Sequence, residues 1–149
     1  MGMQIKENKA FAAGNTYEVK VSAGSTAKEI QNLLDINSYG TYDELILTFP
    51  RGNYYLDRTL YVYSNTTIKA DKKACFYKQR AYGAMLEGKL NNDRDGYNAC
   101  KNVIVEGGVW DTSALLNNVD GTETFRFIHS SNITIKDAEF AYVRKEVIL

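Results

Sequence analysis

The chain contains 149 residues, which is enough for one domain with a substantial buried core. It carries 18 Lys and Arg residues against 18 Asp and Glu residues, whereas a nucleic-acid-binding protein normally has a basic excess. No stretch approaches the ~18 consecutive apolar residues of a membrane-spanning helix. The composition therefore argues against nucleic-acid and membrane partners, while 11 Tyr, six Phe and a single Pro favour strands or a sugar-contacting surface.

The N-terminal region is expected to hold an arm and one helix. Residues 1–20 are assigned to the arm, and "MGMQIKENKAFAAGN" contains no hydrophobic signal core. The segment "STAKEIQNLLD" predicts an amphipathic helix within residues 24–36, where Thr26 and Glu29 have the spacing of a capping box. Its apolar stripe consists of Ala27, Ile30, Leu33 and Leu34. Such a helix can cover the open end of a stack of strands.

Strands are predicted from residue 44 onward, beginning with "ELILTF", a Pro-Arg-Gly turn and a second strand. A repeat follows, in which Asn65, Asn102 and Asn132 each precede residues that are alternately apolar and polar. The asparagines are 37 and 30 residues apart, and an aromatic residue, Trp110 or Phe140, follows two of them by eight positions. Alternation with period two indicates strands, and a repeat of this length indicates stacked structural units.

The repeat predicts coils of short strands that stack in parallel. Ile68, Val105 and Ile135 would form one inward row, and each buried member contributes about 1.5–3 kcal/mol. Leu60 and Phe127 occupy equivalent places, five residues before an asparagine. Asparagine tolerates the left-handed backbone of a sharp corner, and stacked Asn side chains can bond along a row.

Two of the asparagines also fit a second interpretation. Asn65-Thr-Thr and Asn132-Ile-Thr match the pattern of N-glycosylation acceptors. The repeat accounts for both asparagines without a glycan, so we prefer the structural interpretation.

Several phrases, taken in order, resemble a known superfamily. They are "AKEIQNLL", "LTFPRGNYYL", "LYVYSNTTIKA", "NVIVEGGVWD" and "FIHSSNITIKDAEF". Together they resemble the start of a pectate lyase-like right-handed parallel β-helix, and are most similar to the polygalacturonase-type glycoside hydrolase branch. Residues 106–111 resemble the Gly-x-Gly-x-x-Asp-like turn of that branch.

The resemblance implies an all-β fold in a single domain, 1–149. It would be a short solenoid of about three to five coils over residues 44–149, with a capping α-helix at its N-terminal end and a loop insertion at 87–101.

The same architecture hosts hydrolases, lyases, epimerases and phage tailspikes. The polygalacturonase-type enzymes carry an Asp-Asp pair, Gly-His-Gly and Arg-x-Lys on later coils, and none of these motifs occurs in this sequence. We therefore expect the N-terminal scaffold portion of a longer polysaccharide-directed protein, or a degenerate remnant of one, that is inactive alone as hydrolase or lyase. The alternative is a non-catalytic carbohydrate-binding or adhesive, tailspike-like module, and a purely structural module is a third possibility. Either role places the protein outside the cell or at the cell surface.

Four residues are candidates for contact with a polysaccharide. Arg94 and Tyr97 lie in the loop "NNDRDGYN" and could hold an acidic sugar by charge and ring stacking. Trp110 could stack on a sugar ring beside Asp111, although the repeat equally predicts a packed Trp110 and an Asp111 that caps a turn.

No cofactor is predicted, and calcium is the one candidate metal. Asp93 and Asp95 have the spacing of calcium-loop ligands, but the twelfth position is Asn102 instead of Glu, which favours an ordinary solvated loop. Cys75 and Cys100 lack metal-ligand spacing and are interpreted as buried free thiols. His129 has no carboxylate partner in its sequence neighbourhood and is interpreted as structural.

The C-terminal segment "AYVRKEVIL" contains no helix start signal and ends in three apolar residues. An uncapped coil presents unpaired backbone groups and apolar core. We therefore expect a homo-oligomer that is joined through residues near 125–149.

Overall fold

The computed structural model describes residues 15–90, 96–115, 123–142 and 148. This part of the chain is rich in strands and contains one short α-helix, and all of its paired strands are parallel. The strands are β1 (Thr16–Lys20), β2 (Glu44–Phe49), β3 (Gly52–Leu56), β4 (Leu60–Val62), β5 (Thr66–Lys78), β6 (Leu86–Gly88), β7 (Cys100–Asp111), β8 (Phe125–Arg126), β9 (Ser130–Lys136) and β10 (Glu139–Ala141). Short 3₁₀ turns lie at Asp35–Asn37 and Ser113–Leu115.

The helix α1 spans Ala27–Leu34, inside the predicted 24–36. Its capping box is confirmed, because the Glu29 backbone N–H donates to Thr26 Oγ1 at 3.2 Å and the Thr26 backbone N–H donates to Glu29 Oε1 at 3.1 Å. Ile30 and Leu34 are fully buried, since α1 packs against β2, β3 and β4.

Part of the segment that the sequence assigns to the N-terminal arm is a strand. Residues 16–20 form β1, which pairs in parallel with β2 from Thr16 to Lys20. Tyr17 and Val19 alternate into the core in the same way as the apolar residues of β2.

The strands form three parallel arrays. The first array consists of β1, β2, the first half of β5, the first half of β7, and β9. The second consists of β3, the second half of β5, the second half of β7, and β10. The third consists of β4, β6 and β8. From β2 onward the chain contributes one strand, or one half of a long strand, to each array in this order, and then repeats the order. One such set of three is called a round below.

Glycine makes the corner between the first and second arrays in β7. Gly107 and Gly108 have φ of +79° and +78°, in the left-handed region that side chains disfavour. A Cβ added at Gly107 would lie 2.0 Å from the carbonyl oxygen of Ala70, the neighbouring residue in β5. The glycine pair therefore lets two successive rounds approach closely while the strand changes direction.

The three repeated asparagines behave as the sequence predicts. Asn65, Asn102 and Asn132 have φ of 62°, 60° and 54°. Asn102 Nδ2 donates to Asn65 Oδ1 at 2.9 Å, and Asn132 Nδ2 donates to Asn102 Oδ1 at 2.7 Å. This asparagine ladder joins three successive rounds at the same corner.

The predicted inward row is confirmed and is longer than expected. Ile68 pairs with Val105 and Val105 with Ile135, while Leu47 and Val19 extend the row at its start. Trp110 and Phe140 also occupy one row, in register with Tyr54 and Phe76.

One expected equivalence is wrong. The partner of Leu60 in the third array is Leu86 and then Phe125, not Phe127. The connection from the third array to Asn132 is longer than the one to Asn65, so counting back five residues from the asparagine misses Phe125.

Candidate functional site

A surface groove of about 400 Å³ lies between the turn at residues 37–40 and the corner that follows β4. One wall is the turn at residues 37–40, and the other is formed by Tyr63, Ser64, Lys89, Leu90 and Ala99. Lys89, Leu90 and Ala99 come from the two ends of the segment for which the sequence predicts an insertion. The tyrosines and the lysine supply the chemistry of this groove, and it is referred to below as the tyrosine groove.

Asn37 fixes the turn against the neighbouring corner. Its side chain is buried, and Nδ2 donates to the carbonyl oxygens of Ser64 and Asn65 at 3.2 Å each. Its Oδ1 accepts the backbone N–H of Tyr42 at 2.9 Å. Because both Nδ2 and Oδ1 of its amide are hydrogen-bonded, Asn37 holds the groove wall in a fixed position.

The two tyrosines of the groove differ in exposure. Tyr39 is 96% exposed, so both faces of its ring are open to a ligand. Tyr63 is half-buried, and burial raises the pKa of its hydroxyl, with a further contribution from the nearby Asp35 carboxylate that accepts its hydrogen bond. Tyr63 thus forms part of the groove wall, whereas the exposed ring of Tyr39 can stack on a ligand.

Lys89 brings a positive charge to the same groove. Its Nζ lies 4.9 Å from the centroid of the Tyr61 ring, within the range of a cation–π contact. Its backbone N–H donates to the Val62 carbonyl at 2.8 Å, which extends the pairing of the third array by one residue. None of the described residues that line the groove is acidic.

The structure separates the four polysaccharide candidates. Arg94 lies outside the described residues. Tyr97 is 75% exposed and does not line the tyrosine groove. Trp110 and Asp111 are neighbours in β7 and therefore point to opposite faces of the array.

Trp110 is unavailable to a ligand, which corrects the proposed sugar contact. It is 1% exposed, it stacks on Phe76 with ring centroids 4.1 Å apart, and its Nε1–H donates to the Gly107 carbonyl at 3.2 Å. Packing of the large indole ring between successive rounds stabilises the fold.

Asp111 caps a turn. Its Oδ1 accepts the backbone N–H of Ser113 at 2.6 Å, at the start of the second 3₁₀ turn. It lies on the outer face in register with Tyr77, which in turn stacks on Tyr55.

The described residues contain no group of three or more His, Cys, Asp or Glu side chains able to hold a metal ion. The calcium candidates Asp93 and Asp95 fall outside the described residues. His129 is exposed, and its Nδ1 lies 3.1 Å from the Gly96 carbonyl oxygen.

Cys75 and Cys100 are both free. Cys100 is buried as predicted, and burial raises the pKa of its thiol to about 11. Cys75 is only half-buried, so the prediction of two buried thiols is wrong for this residue.

A second groove, of about 420 Å³, runs along the outer side of the asparagine ladder. Several of its polar groups are already hydrogen-bonded. Glu44 Oε2 accepts the Thr67 hydroxyl at 3.0 Å, Asp43 Oδ2 accepts the Asn15 backbone N–H at 3.1 Å, and the ladder amides bond along the row. The side chains of this groove are therefore less available to a ligand than those of the tyrosine groove are.

The residues of the tyrosine groove are not among the candidates that the sequence supplies. A local signal exists only at Ser38-Tyr39-Gly40, where a large aromatic residue stands in a turn and has no strand face to pack on. Tyr63 and Lys89 come from separate rounds, and only the stacking brings them together.

No helix in the described ranges is long and apolar enough to cross a membrane. No protein-family model matches the sequence, and no curated protein or solved structure matches it.

Proposed function

We propose that this chain is a right-handed parallel β-helix that serves as the N-terminal scaffold of a polysaccharide-directed protein, pectate lyase-like or polygalacturonase-like, and that it binds saccharide in the tyrosine groove. The helical winding is supported by the repeated order of the three arrays, which a chain winding in one direction would produce. The asparagine ladder and the packing of α1 against the first round fit the same architecture. The polysaccharide would be met outside the cell or at the cell surface.

The observation that carries the binding role is the combination of Tyr39, Tyr63 and Lys89 in one groove. An exposed aromatic ring can stack on the apolar face of a sugar, and such ring contacts contribute about 0.5–1.5 kcal/mol beyond area burial. The ammonium of Lys89 adds attraction for a carboxylate, so a saccharide with uronate units would be preferred. Because the described lining residues include no carboxylate, the groove has the composition of a binding surface and not that of a paired-carboxylate hydrolytic site.

The groove itself favours the non-catalytic alternative, a carbohydrate-binding or adhesive module. In that role the fold presents a ring and a charge at fixed positions, and no reaction is required. Both roles predict that this chain alone leaves the saccharide intact, since the scaffold portion is also expected to be inactive alone as hydrolase or lyase.

Calorimetric titration with an oligogalacturonate and with a neutral oligosaccharide of equal length tests the proposal. Tyr39→Ala should weaken binding of both by roughly threefold to tenfold. Lys89→Gln should weaken only the acidic saccharide, by up to about fivefold, and this loss should shrink at high salt.

Tyr82→Ala and Lys136→Gln are the matched controls. Tyr82 is 67% exposed and Lys136 is also exposed, and neither lines the groove. Absence of binding by the parent chain, or equal losses in the control variants, would contradict the proposal. Product analysis after long incubation with each saccharide should show no cleavage, and release of products would contradict the expectation that this chain is inactive alone.

A further inference from the structure

Two tyrosine side chains lie next to each other on the outer face of the second array. Tyr55 of β3 is paired in register with Tyr77, in the second half of β5 and thus in the next round. The residues on either side of each tyrosine are buried, so both tyrosines point outward from the stack. Tyr55 is 51% exposed and Tyr77 is half-buried. A reagent in the solvent can therefore reach this pair.

The two rings are stacked, with centroids 5.2 Å apart and planes inclined by only 19°. Because the strands are parallel and the residues are in register, both side chains extend from the array in the same direction. Tyr17 and Tyr42 form the other contact between two tyrosine rings in the described residues. Their planes are inclined by 53°, and Tyr17 is only 6% exposed. Of the two contacts, the one between Tyr55 and Tyr77 thus combines stacking with access from the solvent.

We propose that Tyr55 and Tyr77 form a site of oxidative modification, at which a peroxide-dependent oxidant such as a haem peroxidase joins the two rings covalently. This inference is independent of saccharide binding. Each phenol supplies one electron and one proton and becomes a phenoxyl radical. Hydrogen peroxide accepts the two electrons and two protons, its O–O bond breaks, and two water molecules leave. The radicals couple through the ring carbons next to the oxygens, and the hydrogen on each coupled carbon moves to the oxygen, which restores both phenols.

Stacking favours coupling within the pair over coupling between molecules. A phenoxyl radical on Tyr55 has the second ring beside it, and holding two reacting groups in contact makes their reaction effectively unimolecular. Tyr39 is more exposed, at 96%, but it is not stacked on a second described tyrosine. A radical on Tyr39 must therefore meet a second protein molecule, so that coupling through Tyr39 depends on concentration.

The half-buried thiol of Cys75 lies on the same outward face, two residues before Tyr77 in β5. Burial raises the pKa of the Tyr77 hydroxyl, and the neighbouring Cys75 side chain adds to this effect. A thiol reduces a phenoxyl radical by giving it a hydrogen atom, which leaves the radical on sulfur. Cys75 would thus compete with the coupling, and a Cys75→Ser background removes this competition.

The crosslink would tie one round covalently to the next. Tyr55 and Tyr77 are 22 positions apart in the sequence, so the new bond would close a loop of that length in the unfolded chain. Closing such a loop lowers the entropy of the unfolded state. We therefore expect the melting temperature of the crosslinked chain to rise by roughly 5–10 °C.

Treatment of dilute Cys75→Ser protein with a haem peroxidase and one equivalent of hydrogen peroxide tests the proposal. The expected product is a monomer whose mass is lower by that of two hydrogen atoms. Its tryptic digest should contain residues 52–58 joined to residues 74–78. Tyr55→Phe and Tyr77→Phe should each abolish this product, because phenylalanine keeps the ring but has no phenolic hydrogen to lose.

Tyr42→Phe is the matched control, since it removes the second tyrosine pair in the same way, and it should leave the yield of crosslinked monomer unchanged. Recovery of an uncoupled chain after the peroxide is consumed would overturn the proposal. So would coupling that occurs only between molecules and falls on dilution, or a crosslinked monomer that still forms in the Tyr55→Phe variant.

Discussion

Among the described residues, the earlier rounds and the round that contains β9 are built from the same kinds of residue and yet differ in how deeply those residues are buried. Leu47, Ile68 and Val105 are each 0% exposed, whereas Ile135, the next member of the same row, is only partly buried. The residue type and the strand pattern are equivalent, so the difference comes from what lies on the next level of the stack. In a stack of this kind the energy of a side chain depends on its neighbours above and below as much as on its own chemistry.

The comparison can be tested most strongly within this row. Ile68→Ala should lower the free energy of unfolding by about 4 kcal/mol, because it removes buried methyl groups and leaves a cavity between two rounds. Ile135→Ala should cost about half as much, since its side chain is only partly enclosed. Chemical denaturation of both variants measures the two values, and equal losses would mean that the round that contains β9 is as well packed as the interior.

The corner glycine gives the next largest effect. Gly107→Ala should destabilise the fold by about 3 kcal/mol, because the new Cβ would collide with the Ala70 carbonyl and φ is positive. Gly40→Ala is the matched control, with φ of +67° and no atom within 4 Å of the new Cβ, and should cost about 1 kcal/mol. Melting experiments on the pair separate the close contact between rounds from backbone strain alone.

Lys78 is a buried lysine at the end of β5, and its contribution to the free energy of unfolding depends on pH. Lys78 is 2% exposed, its Nζ donates to the Gly83 carbonyl and, at 3.5 Å, to the Glu123 carbonyl, and burial lowers its pKa from 10.5 to about 8. The nearby Glu123 carboxylate opposes this shift and Arg80 adds to it. The amine thus connects two loops that precede strands of the third array.

Because the folded pKa lies below the unfolded one, the unfolded chain binds more protons between about pH 8 and 10.5, and stability should rise with pH across that window. Relative to Lys78→Met, which cannot titrate, the parent chain should gain about 2 kcal/mol between pH 7.5 and 9.5. Denaturation at several pH values, taken as the difference between parent and variant, cancels the titration of other groups. A flat difference would show that the amine keeps an ordinary pKa.

The smallest predicted effect concerns Gln31 of α1, whose Oε1 accepts the Tyr61 backbone N–H at 2.8 Å and whose Nε2 donates to the Tyr61 carbonyl at 2.9 Å. Gln31→Met keeps an apolar stem of similar length but removes both hydrogen bonds to Tyr61, which should cost about 1 kcal/mol. Exchange of the Tyr61 amide hydrogen should become faster, while Asn32→Ala, on the exposed side of the same helix, should leave it unchanged. An unaltered exchange rate would mean that water replaces the glutamine without loss.

The sequence predicts features that repeat and fails for features that depend on assembly. Asn65, Asn102 and Asn132 share a local pattern, so their left-handed corners and their ladder follow from the sequence alone. The capping box at Thr26 is equally local. Residues 16–20 resemble an arm in the sequence because a single strand ahead of the first repeat has no equivalent phrase to match.

The candidate site escapes a sequence-based search for the same reason. Tyr39 and Tyr63 are 24 positions apart in the sequence, and Lys89 comes from the following round, so no motif joins them. Trp110 is conspicuous as the lone tryptophan, but its spacing relative to Phe140 already indicates the core position that it occupies. A pattern search finds what each round has in common, whereas this groove is formed by side chains that differ between rounds.

The asparagine ladder has a consequence for how such a chain can change its length during evolution. In the ladder, the side-chain amide of each asparagine bonds to that of the corresponding residue in the adjacent round, through the same pair of atoms and in the same direction. A duplicated or deleted segment of one complete round would therefore restore identical amide contacts at the junction. The ladder makes the molecule tolerant of tandem duplication, and it ties the permitted insertions to whole rounds instead of single strands.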